Sequence, residues 1–173
     1  MSNYILVPLG NPGKQYEKTR HNVARIVCTS ALNDFACEVL IPETFMNESG
    51  IAVRDYLKYH DDTDVIVVYD DKDLPFGKFR ISHDRGDGGH NGLKSVIQEL
   101  GKKDFIRVRI GIAHPETDGK EIKPLSGDAV QKYVMGNCTE EELEVLKAIA
   151  PKVREAVKVI IEEGYKKAME KFN

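Results

Sequence analysis

The chain has 173 residues, 41% apolar and 31% charged, with a formal net charge of −3. That length supports one domain with a full core and no need of staples. The weak acidity gives no overall nucleic-acid footprint, so any such contact has to come from local basic patches. The longest apolar runs, such as residues 65–69, are too short to cross a bilayer. The first residues lack the basic-then-apolar pattern of a secretory signal, and the chain therefore reads as cytoplasmic. Its three cysteines, Cys28, Cys37 and Cys138, are odd in number and lack Cys-x-x-Cys spacing. They suggest neither a disulfide framework nor a zinc site, and Cys28, in an apolar helical stretch, reads as a core residue.

In chain order, residues 4–9 read as a first buried strand. A loop rich in Gly, Asn and Pro follows and ends in His21-Asn22. The spacing of Val23, Ile26, Val27, Ala31 and Phe35 predicts a helix over 22–35. Residues 38–41, before Pro42, suggest a short second strand, and 47–59 a helix with Ile51, Val53, Tyr56 and Leu57 inward. The unbroken β-branched run at 65–69 predicts a central strand buried on both faces. It is expected to end in a loop at 70–75. A strand over 77–82, a glycine-rich loop over 86–92 and a helix over 93–100 closed by Gly101 come next. After them come a strand over 105–112, a polar loop over 114–125 and a short helix over 129–135.

Thr139-Glu140-Glu141-Glu142 is a capping box opening a long helix to about 170. Its apolar stripe is Leu143, Leu146, Ala150, Val153, Val157, Ile160 and Ile161, and Pro151 is expected to kink or split it. There is no repeat, low-complexity segment or linker. Strands alternating with helices predict a single three-layer α/β/α domain over 1–173 with a mixed, mainly parallel central sheet.

Four loops carry residues suited to chemistry: the 9–22 stretch with Asn11, Tyr16 and His21; Thr44-Phe45-Met46-Asn47; 70–75; and the glycine loop with His90 and Asn91. In open α/β sheets, loops beyond the strands' carboxyl ends share one crevice. A His oriented by an Asp is a general base whose ordinary pKa, near ~6.5, suits neutral pH. Asn amides, with a donor and an acceptor, can hold a substrate amide or polarise a carbonyl. With no Gly-x-Ser-x-Gly elbow, the pattern points to attack by an activated water.

Each residue also has a plainer reading taken singly. His21 can be a helix cap, Asn47 an N-cap, and residues 70–73 a solvated turn. Gly92-Leu93-Lys94-Ser95 lacks the adjacent Gly-Lys-Ser/Thr of a phosphate loop. The acids Asp70, Asp71 and Asp73 have no matching set of carboxylates elsewhere to complete a Mg²⁺ site.

Together the segments LGNPGKQYEKTRHNV, TFMNESG, DDKDLPFGKFR, GGHNGLKS and FIRVRIGIAHP resemble bacterial peptidyl-tRNA hydrolases, in the family's order and up to Pro115. The resemblance implies a metal-independent monomer without cofactor that cleaves the ester between a peptide and the 3′ ribose of tRNA. It implies that His21 is the base, Asp70 its orienting carboxylate and Asn11 the residue near the scissile ester. It also implies that Asn47 and Asn91 hold the peptide and that Tyr16, Phe45 and Met46 wall the cleft. Arg80, Arg85, Lys94, Arg107 and Arg109, with the lysines of the last helix, are candidates for tRNA phosphates.

Two features depart from the family. The stretch between Asn22 and Phe45 is short, so the sheet is expected to lack one strand or hairpin. Ala24 stands where Gly is usual, and Ser82 and His83 where a basic residue is common, which implies weaker tRNA contact there. The alternative reading is a non-catalytic RNA-binding relative on the same scaffold, and a further one a metal-dependent hydrolase using residues 70–73.

Overall fold

In a computed structural model of the chain, residues 3–30, 32–114 and 125–173 are described. Ala31 and most of the expected polar loop at 114–125 lie outside them. The elements run β1 (Asn3–Pro8), α1 (Val23–Thr29), β2 (Glu38–Val39), α2 (Ser49–Leu57), β3 (Thr63–Pro75) and β4 (Phe79–His83). They continue with α3 (Asn91–Leu100), β5 (Ile106–Ala113), α4 (Asp128–Val134), α5 (Glu140–Glu163) and α6 (Tyr165–Phe172).

The strands form one sheet in the order β2-β1-β3-β5-β4. All neighbours are parallel except β4, which runs antiparallel to β5. Successive strand residues point to opposite faces, and both faces are covered. Ile5, Val7, Val65 and Val67 pack with Leu9, Met46, Val53, Leu93 and Val96 on the α2–α3 side. Leu6, Ile66, Val68, Val108 and Ile110 pack with Val27, Leu146, Val153, Val157 and Ile160 on the α1–α5–α6 side. This is the expected three-layer arrangement, with β2 reduced to two residues at the sheet edge.

Three elements differ from their sequence readings. The first helix stops at Thr29, because Thr29 Oγ1 and Ser30 Oγ turn back to the carbonyls of Arg25 and Val27, at 2.7 and 3.1 Å. Residues Leu32–Asp34 form only a separate 3-10 turn. The run at 70–75 is not a loop after the central strand but its continuation: β3 stays paired to β5 through Asp71, and again at Pro75 beyond an irregularity. Gly111 permits this, since a Cβ there would press on the Leu74 and Pro75 carbonyls. Pro151 does not split the last helix. It lies exposed inside α5, between buried Ala150 and Val153, and the packed apolar stripe outweighs one lost hydrogen bond. The break comes instead at Gly164, with φ 88°. The capping box is present as expected, and Gly101 closes α3.

The last residue also has a structural role. Asn173 Nδ2 donates to the carbonyl of Ile81 at 2.9 Å, and Ile81 N–H donates to Asn173 Oδ1 at 2.8 Å, along the outer side of β4.

Helices α2 and α3 touch at Gly50, whose N–H donates to Ser95 Oγ at 3.0 Å. A Cβ at this position would run into the Ser95 carbonyl. Gly50→Ala should therefore cost about 1–3 kcal/mol by overpacking, read as a Tm lower by several degrees in thermal unfolding. An unchanged Tm would contradict this close approach.

Candidate active site

Beyond the packing of Leu9, the loop leaving β1 is held by side-chain hydrogen bonds. Asn11 N–H donates to Asn22 Oδ1 at 2.8 Å and Asn22 Nδ2 donates to the Asn11 carbonyl at 2.9 Å. Arg25 reaches back from α1 to the carbonyls of Gly10 and Pro42, at 2.7 and 2.5 Å. Further on, Arg20 donates twice to Glu142 Oε1, at 3.1 and 3.2 Å. Its N–H donates to the Gly136 carbonyl at 3.0 Å. Glu142 is the glutamate of the capping box, the third residue of α5, and also accepts from His114 Nε2, at 2.5 Å. These contacts fix the single 3-10 turn Arg20–Asn22 that carries His21.

His21, 7% exposed, places Nδ1 at 2.9 and 3.0 Å from the two oxygens of Asp70, itself 4% exposed within β3. A second imidazole meets the same carboxylate: His90 Nε2 is 2.7 Å from Asp70 Oδ1. His90 is the N-cap of α3, its Nδ1 accepting from Leu93 N–H at 3.1 Å. An accepting Nδ1 carries no proton, so His90 is the neutral Nε2–H form and donates to Asp70. His21 likewise donates through Nδ1–H, leaving the lone pair on its Nε2 directed away from the carboxylate. Nε2 has no hydrogen-bond partner among the described residues.

The charges follow this geometry. Burial alone would push the Asp70 carboxyl up, but the two imidazoles hold it well below the usual carboxylate range. Burial alone would push His21 down, but the charge and hydrogen bond of Asp70 outweigh it, and the imidazole lies above its ordinary value. The thiols do not compete as nucleophiles, since burial pushes Cys28 and Cys138 up to about 12 and Cys37 to about 11.

A cavity of about 190 Å³ opens beside the pair, lined by His21, Asp70, His90 and Asn91 together with the glycine segment and part of α4. Asn11 is buried, its Oδ1 accepting from Met46 N–H at 2.8 Å. Met46 is buried against Gly92, where a Cβ would strike its sulfur. Phe45 is exposed, with Tyr16 edge-on to its ring at 6.4 Å. Asn47 is exposed and caps no helix through its side chain.

The cations divide. Arg80, Arg85 and Lys94 are exposed, while Arg109 is paired with Asp71 at 2.9 Å. Arg107 is not available to a nucleic acid. It is fully buried, donating to the carbonyls of Arg85, Gly86 and Lys103 with its guanidinium over the Phe105 ring. Ser82 is buried, and His83 stacks on Tyr165 at 4.4 Å.

His21, Asp70 and His90 bring three ligand-type atoms within 4.8 Å of one another. Here both imidazoles contact the Asp70 carboxylate directly, at 2.9 and 2.7 Å, and the three groups satisfy one another. The remaining acids are also committed, Asp71 to Arg109 and Asp73 to Lys72 at 2.9 Å each.

The family model for peptidyl-tRNA hydrolase matches residues 29–173. The chain belongs to the peptidyl-tRNA hydrolase family. A peptidyl-tRNA hydrolase of Caldanaerobacter subterraneus subsp. tengcongensis is 40% identical over 193 residues, covering 98% of this chain and 99% of that protein. One of Fervidobacterium nodosum is 40% identical over 185 residues, covering 98% and 95%. Both alignments are longer than the chain's own 173 residues, so these peptidyl-tRNA hydrolases carry residues that this chain lacks. The crystal structure of the Acinetobacter baumannii peptidyl-tRNA hydrolase superposes with a TM-score of 0.85 at 26% identity, covering 100% of this chain and 96% of that one. The mixed α/β sheet is thus the family's fold. Motif reading named His90 without giving it a role, and gave none to Asn22. The signal for His90 was its place just before a helix start, and for Asn22 a buried Asn beside a turn.

The His21 imidazole should titrate above its ordinary value of 6.5 when followed by NMR. Asp70→Asn removes the carboxylate's charge and leaves burial, so the titration should move to lower pH. A midpoint unmoved by the substitution would sever the proposed electrostatic link.

Proposed function

We propose that this chain hydrolyses the ester between a peptide's terminal carbonyl and the 3′ oxygen of tRNA, with His21 as general base. The observation that carries this reading is the buried His21–Asp70 pair, in which Nδ1 faces the carboxylate and His21 lines an open cavity. Nε2 takes a proton from water as the water oxygen attacks the ester carbonyl. The resulting imidazolium, stabilised by Asp70, returns the proton to the leaving 3′ oxygen. Asn11 uses its Oδ1 on Met46. Its Nδ2 has no partner among the described residues and is the donor available to the developing oxyanion.

Asn47 and Asn91 offer uncharged amides to the peptide backbone, and Tyr16, Phe45 and Met46 form the apolar wall. None of these supplies a carboxylate for a free α-ammonium, which supports a preference for N-blocked groups. Arg80, Arg85, Lys94 and the lysines of α6 are the exposed cations for tRNA phosphates. All of these groups come from one chain and need no metal, so we assign a metal-independent monomer. It works where peptidyl-tRNA arises, in the cytoplasm. Among the described residues no helix is long and apolar enough to cross a membrane.

Release of tRNA from an N-acetylated aminoacyl-tRNA, beside its unblocked form, tests the reading. Cleavage of the blocked form alone is expected, unchanged by a strong chelator. No release at all would favour the RNA-binding alternative. His21→Ala should lose about 10²–10⁴-fold in turnover while tRNA binding persists, and near-normal turnover would remove His21 from the role.

Protonated His21 is not a base, so the rate should rise with pH through its raised pKa. In Asp70→Asn the acidic limb should move to lower pH while the maximum rate falls. A limb that stays in place would mean another group titrates.

A further inference from the structure

The ester has two sides, and the Asn11–Met46 group accounts for one. None of Asn11, Tyr16, Phe45, Met46 or Asn47 lines the cavity beside Asp70. That cavity is built differently. Its lining includes the Asp71–Arg109 ion pair, the apolar side chains Val130 and Val134 from α4, and the glycine segment 86–89. At Gly86, Gly88 and Gly89 a Cβ would meet nothing, so the backbone faces open space there. Its volume is about 190 Å³, and it places a fixed charge pair beside apolar side chains.

Asp71 is the neighbour of Asp70 on the same strand, and both line this cavity. Its carboxylate is fixed: Oδ2 accepts from Arg109 Nη1 at 2.9 Å and Oδ1 from Asp73 N–H at 2.8 Å. Each oxygen retains a second acceptor position. The pair is only 12% exposed on either side, which holds its geometry without closing it to a ligand.

The leaving group in the reaction proposed above is a ribose oxygen with a hydroxyl on the adjacent carbon. A fixed carboxylate beside the catalytic pair is the group that accepts such a hydroxyl, as in nucleotide-binding folds, and the 2′-hydroxyl is what separates RNA from DNA. We propose that the cavity receives the 3′-terminal ribose of the tRNA and that Asp71 accepts its 2′-hydroxyl, with Arg109 as the positioning residue. The assignment rests on the hydrolase reading. It gives Arg109 a role in holding Asp71 rather than requiring it to be a free phosphate contact.

The test uses two esters of the trinucleotide CCA carrying an N-acetylated aminoacyl group, one with a ribose and one with a 2′-deoxyribose at the terminal adenosine. The neighbouring hydroxyl changes the ester's own reactivity, so the readout is the ribo-to-deoxy ratio of kcat/KM compared between wild type and Asp71→Asn. Asp71→Asn should reduce that ratio at least about 10-fold, with most of the loss on the ribose ester, because a site built for a hydroxyl discriminates strongly against its absence.

A ratio unmoved by the substitution, or an equal loss on both esters, overturns the assignment. Val130→Trp, which adds bulk to the cavity from α4, should raise KM for the ribose ester at least about 10-fold. An unchanged KM overturns the cavity's role. Wild-type protein that cleaves neither ester nor N-acetylated aminoacyl-tRNA overturns the hydrolase reading and this one with it. Protein that cleaves them, with both variants silent, overturns this one alone.

Discussion

The structure depends on one buried carboxylate shared by two imidazoles. An ionised Asp70 inside the sheet costs several kcal/mol in lost hydration unless donors surround it. His21 and His90 are those donors, and they come from different layers. One sits on the turn before α1, the other at the start of α3. The need to satisfy a single charge therefore aligns the end of β1, the middle of β3 and the α3 terminus. The same need bears on the proposed chemistry, because a carboxylate that consumes an N–H from each ring leaves His21 with one free lone pair. His90 cannot share that role, since its remaining nitrogen is spent on its helix.

Around this centre, loops poor in apolar residues are held by arginines. Arg25 binds the carbonyls of Gly10 and Pro42. Arg107 binds those of Arg85, Gly86 and Lys103, and Arg20 joins the His21 turn to Glu142. A guanidinium has five donors in a planar fork, enough to gather several carbonyls that no strand or helix satisfies.

Much of this was legible in the sequence, for identifiable reasons. The β-branched run at 65–69 can only be a buried strand, and the capping box at Thr139 states its own geometry. The His21–Asp70 partnership was legible through the motif, not through any local rule. What was not legible depended on partners far along the chain. Asp70-Asp71-Lys72-Asp73-Leu74-Pro75 has turn composition, and only pairing with β5 across Gly111 keeps it extended. Arg107 looks like any cation on a strand, since nothing local reveals three carbonyls waiting beneath the surface. His90 was hidden by its ordinary task as a cap, and Pro151 misled because burial on both sides of it overrode a backbone preference.

The clamp of Asn173 on Ile81 has a consequence for how the molecule meets its own kind. β4 is the outer strand of the sheet, and an outer strand presents unpaired N–H and C=O groups to any extended segment that drifts by. The amide of Asn173 occupies one such pair as a neighbouring strand would, with α6 laid beside it. The sheet thus closes its own margin with a side chain, and copies crowded together find no ready template for cross-strand assembly at that point.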